Sequence, residues 1–139
     1  MTNQTERPED TVRRLARELT ELESATLTPR VKAQASIIDA FLDKKTSGIY
    51  QAQPLAQTWT RVAKIAEEAG EAISELIAAT GANPRKGVIE GAYEKMLQEI
   101  ADVWCTALFA LMHFTKDADE TERILSESLE KAYQRVQGT

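Results

Sequence analysis

The stretch KIAEEAGEAISEL (64–76) holds Glu67, Glu68, Glu71 and Glu75, offset locally by Lys64 alone. Farther on, QEIADV (98–103) sets Glu99 three residues before Asp102. Glu68 and Glu71 share that spacing. Residues three apart lie on one helix face, with Cβ atoms roughly 5–6 Å apart. Each pair can therefore aim two carboxylates at one point. Four such groups at one level would repel or take up protons unless something neutralised them. A divalent cation does so, and an all-oxygen donor set favours Mg2+ or Mn2+ over zinc. A solvated acidic face is the plain alternative that the same pattern allows.

The elements that position these acids read as helices. Of the 139 residues 42% are apolar and 28% charged, and helix-favouring types dominate. The expectation is one all-α domain over 1–139, a bundle of about four to five helices. Residues 1–8 form a polar tail, 9–54 the N-terminal helices, and 55–136 the part that bears the acids. The first helix starts near Asp10 with a stripe of Val12, Leu15, Leu19 and Leu22. Thr28-Pro29 opens the second, which reaches about Lys45 and is ended by Thr46-Ser47-Gly48. The third spans roughly Leu55 to Ala79, with Leu55, Trp59, Val62, Ala66, Ala69, Ile73 and Leu76 as its apolar stripe. TGANPRKG (80–87) is a turn. The fourth spans Ala92 to Thr115 and, apolar over most of its circumference, should be the most buried. Asp117 caps the last helix, with Glu120 as a capping-box partner and a stripe of Leu125, Leu129, Ala132 and Val136.

A short turn between the third and fourth helices predicts an antiparallel pair. Glu71 lies about 12 Å before the end of one, and Glu99 about 10 Å after the start of the next. The acids therefore match in height. They do not match the apolar stripes in angle: at about 100° per residue, both pairs point away from them. A shared site requires that the acid faces meet and the apolar stripes turn outward. One chain has few helices to cover such stripes, so the arrangement favours a homo-oligomer.

The net charge of −5 argues against a nucleic-acid surface, which needs a basic footprint. It leaves room for a nucleotide substrate if a metal supplies the positive charge. Cys105 is the only cysteine, which suits a reducing cytoplasm. No apolar run is long enough to cross a membrane. Trp59 and Trp104 read as core, and His113, the only histidine, stands outside any Glu-x-x-His motif. No Ser/His/Asp or Cys/His nucleophile set and no phosphate-cradling glycine loop is evident.

EEAGE (67–71) followed by EIAD (99–102) resembles the Glu-Glu-x-x-Glu … Glu-x-x-Asp pattern of the MazG-like, all-α nucleoside triphosphate pyrophosphohydrolases, over about residues 55–136. The resemblance implies hydrolysis of an NTP or dNTP to the monophosphate and pyrophosphate with Mg2+, by a homodimer or homotetramer. It assigns Glu68, Glu71, Glu99 and Asp102 to the metal. Glu67 would hold a second metal or orient the attacking water. The family's Lys-x-x-x-Arg pair on its last helix has its counterpart in Lys131 and Arg135, which would reach the phosphates. Lys64, on the acid face, is either an i,i+4 helix pair or a further phosphate contact.

Two other readings compete. Phosphoribosyl-ATP pyrophosphohydrolases share a KIxEExxE-like stretch, but have a histidine four residues after the second-motif aspartate, where this chain has Thr106. A non-enzymatic helical interaction protein would carry the acids as solvated faces.

Overall fold

The computed structural model describes residues 7–20, 26–50 and 53–137. Among them are five helices and no strand: α1 (Pro8–Thr20), α2 (Pro29–Tyr50), α3 (Pro54–Thr80), α4 (Ala92–Thr115) and α5 (Ala118–Gln137). The expected all-α architecture is present. No described helix is long and apolar enough to cross a membrane.

Local chemistry sets the helix ends. Pro54 opens α3, where its missing N–H costs nothing. Gly81 closes it in the left-handed region at φ 66°, its N–H bonded to the Ile77 carbonyl. A Cβ at Gly81 would stand 3.0 Å from Cγ2 of Val88, so glycine is required there on two counts. α5 is capped by Asp117, whose Oδ1 accepts from the backbone N–H groups of Asp119 (2.8 Å) and Glu120 (2.9 Å). Only half of the expected capping box forms: the Glu120 carboxylate is taken by Arg123.

α2 overruns its expected end at Lys45 by five residues. The hydroxyls of Thr46 and Ser47, read as a stop, instead bond back to the Leu42 and Lys44 carbonyls within the helix. Gly48 lies within the helix, which ends at Tyr50.

α3 and α4 form an antiparallel hairpin, in contact along its length. Three cross-links fix its register. The Ile89 N–H donates to the Ala78 carbonyl at 2.9 Å. Oxygens of Glu68 and Glu71 lie beside those of Glu99. Thr58 Oγ1 and His113 Nε2 are 3.2 Å apart. The apolar core lies at the far end of the hairpin. There Leu27, Ala35, Leu108 and Met112 pack with Val31, Phe109, Ala118 and Leu125 from α2, α4 and α5.

The apolar stripes turn outward. Trp59 is 74% exposed and Trp104 50%, and Leu55, Val62, Ile73, Leu76 and Ile100 are exposed with them. Reading the tryptophans as core is thus corrected, whereas α4 is, as expected, the most buried of the described helices, with Ala92, Leu108, Ala110 and Met112 buried. On α5, Leu125 is half-buried, but Leu129 and Val136 are exposed. α1 packs against none of the other described helices, and its Val12 and Leu15 are exposed. Leu22 and the side chain of Leu19 lie outside the described residues. The total accessible surface is 10837 Å², whereas a compact monomer of this mass exposes about 7,200 Å².

Candidate metal centre and adjoining cleft

The hairpin register brings the acid faces together. Carboxylate oxygens of Glu68, Glu71 and Glu99 all lie within 4.8 Å of one another. Glu68 is 8% exposed, a burial that a solvated acidic face would not show. Glu99 has a pKa raised above the ordinary glutamate value. Loss of water around it is the largest cause, followed by the charges of Glu71, Asp102 and Glu68 and a hydrogen bond shared with Glu71. The cluster therefore retains a proton more readily than an isolated carboxylate does, as crowded acids lacking a cation must. All three ligands are carboxylates, and the donor set fits a hard dication of the Mg2+ or Mn2+ kind.

The other sequence-derived residues fall around this triangle. Asp102 is outside it, half-buried, and its Oδ1 accepts from Gln98 Nε2 at 3.2 Å. It is close enough for its charge to be felt at Glu99. Lys64 Nζ lies 2.7 Å from Glu68 Oε1 and 2.9 Å from Glu67 Oε1, making both the i,i+3 and i,i+4 pairs at once. Glu67 is exposed at the edge of the site. Lys131 and Arg135 are exposed on the last turns of α5 and pair with none of these carboxylates.

A second constellation, which the sequence reading missed, joins α2, α3 and α4. Asp39 and Asp43 of α2 meet Arg61 of α3, His113 of α4 and Lys116 just beyond it. Lys116 Nζ bridges Asp39 Oδ2 (2.9 Å) and Asp43 Oδ2 (2.6 Å). Arg61 donates to Asp43 Oδ1 at 3.0 Å. Burial raises the Asp43 pKa, but hydrogen bonds and charge from Lys116 and Arg61 outweigh it and hold the group below its ordinary value. Asp39 Oδ1, Arg61 Nε and His113 Nδ1 are buried without a hydrogen-bond partner. Asp39, Asp43 and His113 could geometrically hold a metal. However, two cations already balance the two carboxylates here, whereas among the described residues the glutamate triangle has only Lys64. This second cluster is a buried ion network. Its only trace in the sequence is the Asp39-x-x-x-Asp43 spacing and Arg61, which lies one turn before Lys64.

The two constellations are joined by a cleft of about 360 Å³ between α2, α3 and α4. Leu42 and Phe109 supply apolar wall, and Thr46, Gln57, Thr60, Arg61 and Thr106 supply polar groups. Lys64 and Glu67 line it at the acid end. Comparison with protein-family models, curated proteins and solved structures returned no match.

Proposed function

We propose that this chain is a Mg2+-dependent nucleotide pyrophosphohydrolase, acting on a nucleoside triphosphate as a homo-oligomer. The observation that carries the reading is the convergence of Glu68, Glu71 and Glu99 from two helices beside a cleft of ligand size. Glu68, Glu71 and Glu99 would hold the ion, with Asp102 one turn along α4 as a further oxygen donor. Bound Mg2+ supplies neutralisation of phosphate charge and a water of lowered pKa.

The remaining residues bind and orient. Phosphoryl chemistry asks the protein mainly for alignment and charge stabilisation. Glu67, held by Lys64 at the mouth of the cleft, would orient the attacking water or hold a second metal. Lys64 can turn its ammonium from Glu68 to a phosphate oxygen. Lys131 and Arg135 serve as phosphate-binding cations in this reading. Attack at the α-phosphorus, with pyrophosphate leaving, rests on the MazG resemblance alone.

Support for the oligomer is the uncovered apolar face of α3 and α4 and the large surface of the single chain. Contiguous exposed apolar patches on soluble proteins mark interaction sites, and a second copy offers the same face. A pyrophosphate-release screen over all NTPs and dNTPs with Mg2+ tests the function. Turnover is expected with at least one nucleotide. Even an outer partner of a metal ligand is worth 10–100-fold, so Glu68→Gln or Glu99→Gln should cost more than about 100-fold. Full activity in either variant would remove the assignment.

A further inference from the structure

Resting on the homo-oligomer reading above, we propose that the partner is a second copy docked through α3 itself. Two α3 helices pack antiparallel about a two-fold axis that crosses the helix between Ala66 and Ala69.

The sequence of α3 carries a heptad seam. Trp59, Val62, Ala66, Ala69, Ile73 and Leu76 follow one another in alternating steps of three and four. That spacing keeps one stripe of a helix against another helix. All of them are exposed in the single chain except Ala69, which is half-buried. A helix face meant for water carries charge, yet Arg61, Lys64, Glu67, Glu68, Glu71 and Glu75 all fall elsewhere. Even the flanking positions, where coiled coils place ion pairs, hold Ala63, Ile65, Gly70 and Ala72. With a net charge of −5, two copies repel unless their acids point away from the contact, and this seam turns them away.

The seam is also self-complementary in size. From either end it runs large, large, small: Trp59, Val62, Ala66 from one, and Leu76, Ile73, Ala69 from the other. A two-fold axis makes residue i meet j and j meet i. Trp59 then faces Leu76 of the second copy, Val62 faces its Ile73, and Ala66 faces its Ala69. The register that sets Glu71 beside Glu99 and Thr58 beside His113 puts Ala66 about level with Trp104, and Ala69 with Ile100. The same axis thus crosses α4 between two of its exposed residues, with Leu97 exposed one turn farther on. Small residues of α3 and large ones of α4 share the central layer, so both helices of each hairpin close on the second copy. An axis parallel to the helices would swing the second α4 to the far side and leave Ile100 and Trp104 bare.

The areas agree. The chain exposes 10837 Å², about 3,600 Å² more than a compact monomer of its mass. A standard interface removes roughly 800 Å² from each partner. The excess is several times that, so a contact over the whole outward face of the hairpin is available. The chain's own α1 is the other helix without a neighbour. At 13 residues, about 20 Å, it is shorter than the α3 seam alone and leaves the α4 stripe uncovered.

Cysteine pairs test the geometry. Cys105→Ser first removes the one native thiol. In that background, Val62→Cys combined with Ile73→Cys should give a covalent dimer on mild oxidation, seen on a non-reducing gel. Either cysteine alone should not. Val62 lies eleven positions, about 16 Å along the axis, from Val62 of the second copy, beyond the reach of a disulfide. Both side chains are exposed in the chain, so the variants should keep its helicity by circular dichroism. If Cys105→Ser does not fold, Cys105→Ala takes its place. Sedimentation of the native protein should give at least twice the chain mass of 15.5 kDa. A monomer in solution, a double variant that fails to cross-link, or single variants that cross-link as well as the double overturns the inference. Turnover is read separately: cross-linking without pyrophosphate release from any nucleotide removes the enzymatic reading and leaves this interface standing.

Discussion

Lys64 Nζ lies 2.7 Å from Oε1 of Glu68, the most buried member of the glutamate triangle. The lysine is the only cation paired with these acids among the described residues, and its pKa is held above the ordinary value by Glu68 first and Glu67 second. It therefore occupies electrostatically the place that a dication would take. Lys64→Gln should tighten Mg2+ binding in the absence of nucleotide by at least about twofold, the scale of an exposed ion pair. It should also raise KM for the nucleotide, because a phosphate contact is lost. Calorimetry and initial rates check the two halves separately.

Glu99 makes the metal-free protein sensitive to pH in a direction opposite to ordinary acid denaturation. Its folded pKa lies above the reference value of 4.5. In the window from there upward, the native state keeps a proton that the unfolded chain has released. Unfolding free energy then falls as pH rises through the window. With chelator present, the melting temperature should rise as pH is lowered from neutrality toward that reference value, and Glu99→Gln should flatten the slope. Asp43 and Glu122, whose pKa values are lowered, act only below it. With Mg2+ saturating, the trend should reverse, because protons compete for the ligands.

The ion network of α2, α3 and α4 should be costly to break. Asp39 is 5% exposed and Arg61 8%. Removing one partner of a buried pair leaves an uncompensated charge and typically costs about 3–5 kcal/mol. Arg61→Met should approach the lower figure, since Lys116 still reaches both aspartates. Urea unfolding measures the change.

The outward face of α3 and α4 predicts assembly. Trp59→Glu places a charge at its most exposed aromatic, and a hot-spot loss of about 2 kcal/mol raises the dissociation constant roughly 30-fold. Sedimentation should then show a lighter species, with helicity unchanged by circular dichroism.

The spacing of the acids carried much of this site. Glu68, Glu71 and Glu99 meet because a three-residue step and an antiparallel hairpin leave them little choice, and α4 runs from Ala92 to Thr115 as its pattern dictates. Periodicity showed equally well that Leu55, Trp59 and Ile73 share a face. It could not show whether that face is covered, because this depends on helices outside the hairpin. The end of α2 was misread because a threonine or serine hydroxyl serves a helix and a turn alike. Asp39, Asp43 and Arg61 are charged residues on two different helices, and only their partners on other elements reveal the network.

Both tryptophans of the chain, Trp59 and Trp104, lie on the bare outer face and away from the glutamate triangle. Their fluorescence therefore monitors whatever settles on that face, not the chemistry behind it. A blue shift on concentrating the protein would report association, and its absence on adding magnesium would show that the ion acts on the inner side alone.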